Sequence, residues 1–344
     1  MKVVANARVT GLKIGGQQRA AIEILDRLPE IERIAPSQPL SGIKAHLWEQ
    51  TVLPARTFGK LLWSPSATGP VIKTQQVVTL HDVAFLDLPE FFSSSFVKLY
   101  KNLLPPLVRR ATRVVTVSEF SRLRIAETLG IATERIDVIG NGVSSHFRAY
   151  AEADIAAVRA ALSLPCTYVL LQATADKRKN LTRTLQAWAV AQKQLPDDIQ
   201  LVVSGNPDRS HVFGTPDAVP EVPRTKFIGY VEEDQIGPLM AGATAFLFPS
   251  LYEGFGIPII EAMSCRTPVL TAALTATREI AEDAALLVDP YSVDDIAAGI
   301  VRLVEDADLR AELMEKGWRV AAKHTWDDVA GKYRTLFSSI GADF

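Results

Sequence analysis

Short apolar runs alternate with amphipathic stretches along nearly the whole chain. Residues 2–5, 77–80, 114–117 and 135–139 read as strands in the first half. The spacing of Ala20, Ala21, Ile24, Leu25 and Leu28 predicts a helix over residues 17–28, and residues 119–129 predict another. After about residue 150 the pattern restarts, with strands at 168–171, 200–203, 226–228, 243–248 and 268–270 and helices at 181–195 and 293–305. A last amphipathic helix is expected over 324–337. Strands alternating with helices predict an α/β protein with parallel, doubly wound sheets. Ligands of such sheets sit at the carboxyl ends of the strands. His81, Ser118, Asn141, Gly205 and the loop around Glu253 fall at those ends.

A chain of 344 residues accommodates two domains. The composition shift around 145–165, with Pro165 before the restart, divides it into a domain over 1–155, a second over 160–322 and a tail over 323–344. No apolar run reaches the length of a membrane span, and Met1-Lys-Val-Val-Ala-Asn lacks a signal-peptide pattern. Neither the two cysteines, Cys166 and Cys265, nor the five histidines have metal-ligand spacing, and the cysteines give no disulfide framework. A cytoplasmic protein without a metal or cofactor is the expectation. The net charge of −2 conceals an asymmetry. Residues 1–150 carry 19 Lys and Arg against 12 Asp and Glu, and the remainder 18 against 27. A basic first half suits an anionic partner, either a phospholipid surface or a diphosphate-bearing acceptor; uneven distribution between two domains is the plainer reading. Nucleic acid is not expected, because the basic residues form no reading motif.

The densest chemistry lies in Phe248-Pro-Ser-Leu-Tyr-Glu-Gly-Phe-Gly-Ile-Pro-Ile-Ile-Glu261. An apolar strand precedes it, Gly254 and Gly256 allow a tight turn, and Pro258 suits the first turn of a helix. Backbone N–H groups and the positive end of the helix dipole at such a terminus attract a phosphate. Glu253 in the loop and Glu261 one turn into the helix would flank the anion and accept hydrogen bonds from hydroxyls. Lys177-Arg178-Lys179-Asn180 opens the helix at 181, where cations oppose the dipole and a bound anion would relieve the conflict. Lys179, then Arg178, are the diphosphate candidates. Gly15-Gly16 before the first helix could present N–H groups to a ligand, or be a plain turn; the dinucleotide fingerprint is absent. His81 could meet a sugar hydroxyl, with Asp82 beside it as partner or loop cap. Lys98, Lys101, Arg109, Arg110 and Arg113 among Phe91, Phe92, Phe96, Leu103 and Leu104 suggest a membrane-facing surface, or an ordinary half-buried helix.

The run from Pro249 to Met263 resembles the E-x7-E signature of family-4 retaining glycosyltransferases of the GT-B fold, and the likeness covers nearly the whole chain. Asn6-Ala-Arg8 with Gly16-x-Gln-Arg19 is similar to that family's glycine loop. Trp48-Glu-Gln50 and Leu53-Pro54 occur in its bacterial polysaccharide branch. Thr79-Leu-His-Asp-Val, Val117-Ser-Glu-Phe-Ser-Arg, Ile139-Gly-Asn-Gly-Val, Arg178-Lys-Asn-Leu and Phe227-Ile-Gly-Tyr-Val resemble further family motifs. The resemblance implies two Rossmann-like domains facing a cleft, with the last helix crossing back to the first domain. It implies that Lys179 and Arg178 hold the diphosphate, Glu261 the ribose and Glu253 the donor sugar. Phe255, Gly256 and Ile257 would offer N–H groups, and Gly229, Tyr230 and Val231 would lie near the base. Gly15 and Gly16 would approach the phosphates and His81 the sugar. Two positions depart from the pattern: Thr174 stands where relatives carry an Arg, and Arg266 where they carry a Gly. The second predicts a helix end without its usual left-handed residue.

The implied activity is metal-independent, retaining transfer of a hexose with Glu253, His81 and Lys179 in catalytic roles. The donor would be GDP-mannose, with a UDP-sugar as the near alternative. The acceptor would be a saccharide or a polyprenyl-diphosphate-linked oligosaccharide of cell-surface polysaccharide such as lipopolysaccharide. Contact with an anionic membrane through the first domain would accompany it. A sugar-nucleotide epimerase and a non-catalytic nucleotide-sugar binding protein are the alternatives from other classes.

Overall fold

A computed structural model describes residues 1–11, 15–174, 176–205 and 220–343. The contacts divide the chain into two compact units. One comprises Met1–Pro89, Ser94–Gly142 and His324–Phe344, and the other Glu90–Ser93 and Val143–Lys323. Each is built on a six-stranded parallel sheet, as expected of a Rossmann-like doubly wound domain.

The first sheet runs in the order β2-β1-β3-β4-β5-β6. Its strands are β1 (Val3–Asn6), β2 (Glu32–Ile34), β3 (Leu61–Ser64), β4 (Gln76–Thr79), β5 (Arg113–Thr116) and β6 (Ile136–Val138). The inner strands are apolar without alternation because helices cover both faces. The helices Gly16–Arg27 and Trp326–Ser339 pack against one face with Trp63, Tyr333 and Phe337 in their core. The Trp63 ring lies 4.8 Å from that of Tyr333. Its indole N–H donates to Thr79 Oγ1 at 3.0 Å, and Thr79 Oγ1 in turn shares a 2.9 Å hydrogen bond with the Tyr333 hydroxyl. Gly142 is required where the last helix begins, since a Cβ there would stand 2.4 Å from the backbone nitrogen of Trp326.

The second sheet runs in the order β12-β11-β10-β7-β8-β9. Its strands are β7 (Thr167–Gln172), β8 (Ile199–Ser204), β9 (Thr225–Gly229), β10 (Ala245–Phe248), β11 (Val269–Ala272) and β12 (Leu286–Val288). The order reverses at β7, which lies between β8 and β10. Connections leave to opposite sides there and open a crevice at the carboxyl ends of the strands. Trp188, Leu185 and Ile300 fill one face and Phe246, Met240 and Ile259 the other.

Several helices run through prolines that a sequence reading treats as stops. Gly42–Arg56 contains Pro54, and Ser94–Arg110 contains Pro105 and Pro106. Each proline forfeits one backbone hydrogen bond, and burial of Leu53, Leu104, Leu107 and Val108 offsets the loss. Along Ser94–Arg110, Phe96 packs edge-on against Phe85 and close to Tyr100, with ring centroids 5.7 and 4.4 Å apart. The apolar side of this helix is therefore turned inward, and the half-buried helix describes it better than a membrane-facing surface. No helix among the described residues is long and apolar enough to cross a membrane.

Candidate functional site

The crevice beside β7 gathers the densest set of sequence-predicted residues. Lys177–Lys179 forms its own short 3-10 turn, and Asn180 follows in the left-handed region at φ +60° before the helix Leu181–Ala191 begins. The Asp176 carboxylate caps the turn by accepting the Arg178 N–H at 3.0 Å and pairs with the guanidinium at 2.6 Å. Thr174 Oγ1 accepts from the Asp176 N–H at 3.3 Å. The conflict between cations and helix dipole expected from the sequence is thus met by a protein carboxylate and by the intervening Asn180.

Asn180 also explains why this turn meets the glycine loop. Its side-chain amide donates to the carbonyls of Pro249 and Pro290, at 3.0 and 2.7 Å. The Leu251 N–H donates to the Arg178 carbonyl at 2.7 Å. Lys179 Nζ then reaches Glu253 Oε1 at 2.6 Å and lies 4.7 Å from the centre of the Phe248 ring. The pair is mostly sheltered, with the Lys179 side chain 22% and the Glu253 side chain 14% exposed.

Gly256, at φ +96°, turns the chain into the helix Ile257–Ser264 with Pro258 in its first turn. Glu261 is one turn further on and only 5% exposed. At the far end Arg266 corrects the sequence expectation: it adopts φ +57° itself. The N–H groups of Arg266 and Thr267 close on the carbonyls of Met263 and Ala262 at 3.1 and 3.0 Å, a Schellman closure without glycine. Packing of its guanidinium 4.9 Å over the Trp318 ring helps hold this conformation.

Gly229, Tyr230 and Val231 end β9 at the same edge of the sheet, two strands from β7, and Tyr230 is 63% exposed. Gly229 has φ +69° with open space around it, so its backbone conformation is what calls for glycine. Gly205 is needed for space as well: at φ +135°, a Cβ would lie 1.7 Å from the Ala173 carbonyl oxygen.

Gly15, Gly16 and His81 belong to the first unit. Gly15 caps the helix Gly16–Arg27; residues 12–14 lie outside the described set. His81 is buried, with Nε2 3.1 Å from the Pro65 carbonyl. Burial pushes its pKa down, against the opposing pull of that carbonyl and of Asp82. Asp82 accepts the Ala84 N–H at 3.0 Å as a loop cap.

One constellation escaped sequence reasoning, although three of its members, Asn6, Arg8 and Glu49, stand within the quoted motifs. Glu49, fully buried, accepts from Asn6 Nδ2 at 2.8 Å, Arg8 Nε at 3.0 Å and Thr68 Oγ1 at 3.0 Å. Its other oxygen lies 3.4 Å from His46 Nδ1. Burial alone would raise the Glu49 pKa, but His46, Arg8, Asn6 and Thr68 together hold it below the ordinary carboxylate value. The network fixes the chain just past β1, on the way to Gly15. Four separate sequence positions feed it, and the fold brings together the segment after β1, the helix Gly42–Arg56 and the loop after β3. Among the described residues, no group of three or more His, Cys, Asp or Glu is placed to hold a metal ion.

Residues 165–319 match the family described as glycosyl transferases group 1, and residues 56–147 match glycosyltransferase family 4. The chain is 29% identical over 255 residues to the O-antigen chain mannosyltransferase B of Escherichia coli, covering 73% of this chain and 67% of that protein. It is 26% identical over 244 residues to the serotype-specific mannosyltransferase WbdA of Escherichia coli, covering 69% of this chain but 30% of WbdA. The chain thus spans about two thirds of one of these relatives and under a third of the other. The crystal structure of Anabaena HepE in complex with UDP and glucose superposes with a TM-score of 0.75 at 19% identity, over 98% of this chain and all of HepE.

Proposed function

The chain belongs to the glycosyltransferase family that these two matches describe, and from that premise we propose that it transfers mannose from GDP-mannose to a growing cell-surface saccharide. The observation that carries the reading is the pairing of Lys179 with Glu253 at 2.6 Å, beside the N-terminus of the helix Ile257–Ser264. A cation, a carboxylate and a helix terminus close to it in the chain suit a diphosphate with a sugar next to it.

In this proposal the diphosphate takes up Lys179, with Arg178 close by and the N–H groups of Phe255, Gly256 and Ile257 contributing. The bond from the sugar C1 to the diphosphate oxygen breaks as the acceptor hydroxyl forms its bond to C1 on the same face. The acceptor proton passes to the departing diphosphate, whose growing charge Lys179 and the helix terminus stabilise. Glu253 released from Lys179 holds donor-sugar hydroxyls, Glu261 the ribose, and Gly229, Tyr230 and Val231 the base. Configuration is retained and no metal takes part. Mannose rests on the two Escherichia coli relatives. A UDP-sugar is the second reading, favoured by the UDP-bound HepE structure. The acceptor is proposed to be a lipid-linked oligosaccharide, with the enzyme working at the inner face of the cytoplasmic membrane.

Thermal shift against GDP-mannose, UDP-glucose and the free nucleotides tests the donor, since a ligand of the folded state raises the melting temperature. Stabilisation by GDP-mannose above that by UDP-glucose is expected. Stabilisation by none of them would remove the proposal.

A further inference from the structure

We propose that Thr275 is a positioning residue of the transfer site. It fixes the backbone of Glu253 and, through it, the carboxylate that meets the donor sugar. The residue acts within the second unit, on the premise that Glu253 serves the donor sugar as proposed above.

Thr275 opens the helix Thr275–Ala281 with φ +55°. That region suits glycine or asparagine, and a β-branched residue in it is a genuine outlier. Among the described residues, Thr275 is the one β-branched side chain at positive φ. Strain of this kind persists where the surroundings impose it. Ahead of Thr275, the Ala273 N–H donates to the Val288 carbonyl at 2.8 Å. Beyond it, the buried Thr277 hydroxyl lies 2.8 and 2.5 Å from the Ala272 and Leu274 carbonyls. Buried Ala276 and Ile280 anchor the helix that follows. A turn that served the fold alone would be met by glycine without the strain.

The strained residue carries a hydroxyl that reaches the candidate site. Thr275 Oγ1 accepts the Glu253 N–H at 3.4 Å. β10 and β11 are parallel neighbours, so the loops that leave their carboxyl ends run side by side. Two sets of ties hold the start of the Glu253 loop. The Thr271 hydroxyl donates to the Phe248 carbonyl at 2.9 Å. From the turn at 177–180, the Asn180 amide donates to the Pro249 carbonyl, and the Arg178 carbonyl accepts the Leu251 N–H. Those ties act on residues 248–251, whereas Thr275 acts on Glu253 itself. Few χ1 rotamers are open to a β-branched side chain, which keeps its oxygen in one place.

The Glu253 carboxylate pairs with Lys179 at 2.6 Å. Once Lys179 turns to a diphosphate, that pairing is lost, and the hydrogen bond to Thr275 still orients the residue. A misplaced contact of this kind costs rate at the sugar and leaves the hold on the nucleotide unchanged.

Turnover of GDP-mannose and UDP-glucose with an oligomannoside acceptor, beside calorimetry with GDP and UDP, tests the assignment in three variants. Thr275→Val keeps the shape and removes the acceptor oxygen. It should lower kcat about 2- to 12-fold, the worth of one neutral hydrogen bond. The donor KM and the affinity for GDP or UDP should stay as in wild type. Thr275→Ser should restore most of the rate. Thr275→Gly should turn over as slowly as the valine variant yet melt no lower than wild type, because it relieves the backbone. A serine variant no faster than valine, or nucleotide affinity falling in step with turnover, would overturn the proposal. So would a glycine variant that melts well below wild type, which would mark the threonine as a structural tie. Equal kcat in wild type and Thr275→Val sinks this inference and leaves the transferase standing. A wild type that binds neither nucleotide or turns over neither donor removes both.

Discussion

Replacing Lys179 and Glu253 separately distinguishes a diphosphate site from a simple structural salt bridge. The Lys179 ammonium is held by Glu253 at 2.6 Å, and both side chains are mostly sheltered. A charge-assisted hydrogen bond from the ammonium to a diphosphate contributes about 1.5–3 kcal/mol. Lys179→Met should therefore weaken GDP or UDP binding by about 10- to 150-fold. Glu253→Gln acts in the opposite sense on the free nucleotide. The ammonium no longer has to leave a carboxylate, a partly exposed attraction of up to about 1 kcal/mol. GDP should then bind unchanged or up to about fivefold tighter, while sugar transfer falls because the carboxylate is absent from the donor hydroxyls. Isothermal titration calorimetry with GDP and UDP reads both effects, and melting curves establish that the variants are folded. Unchanged affinity in Lys179→Met would refute the diphosphate assignment. Equal weakening in both variants would show that the pair acts as a structural tie.

Three further outcomes are expected. Gly205→Ala should destabilise the second unit by about 3 kcal/mol or more, because both the φ of +135° and the 1.7 Å approach to the Ala173 carbonyl exclude a Cβ; a melting temperature within error of wild type would contradict the local geometry. Glu49→Ala should remove about 3–5 kcal/mol from the first unit by stranding buried Arg8, as read by chemical denaturation. Because the folded Glu49 pKa is depressed, its stabilisation is complete above the unfolded value near 4.3 and is lost as pH falls through the lower folded value; an acid-unfolding profile identical in wild type and Glu49→Gln would exclude it. Transfer rates should be unaffected by excess EDTA, and strict dependence on added Mg²⁺ or Mn²⁺ would end the metal-free mechanism.

Elements whose pattern is decided locally were legible from the residues alone. The helices Glu119–Leu129 and Val293–Glu305 have the bounds their periodicity predicts. In the first case Ser118 caps the start by accepting the Ser121 N–H, and Gly130 ends it at φ +63°. The apolar runs of β5, β7 and β10 were equally visible, because strands buried on both faces read as continuous hydrophobic stretches. Gly42–Arg56 was not: it has no capping side chain, an interior proline and an outer face carrying exposed Ile43 and Leu47. Its helicity comes from packing against β1 and β3 by way of Leu53, which is non-local information. The site divides along the same line. The Glu253 loop announces itself through glycines, proline and carboxylates in one short window. The partners of Glu49 depend on folding, which a spacing rule does not report; Asp176, two residues before Arg178, is a local cap that the reading passed over. Arg266 shows the limit of a rule based on residue type, since hydrogen bonds and a stacked indole hold an arginine where a glycine was expected.

The helix Trp326–Ser339 supplies Tyr333 and Phe337 to a core whose other members begin at Val3. The first unit is consequently written in the chain as a beginning and an ending, with the second unit between them. During synthesis the middle can close while the beginning still holds Trp63 without its cover. Only when residues 324–343 leave the ribosome does that tryptophan gain its aromatic neighbours. The nascent protein must therefore keep an unfinished half from aggregating throughout the making of the other, and the segment that seals it is translated only after that other half.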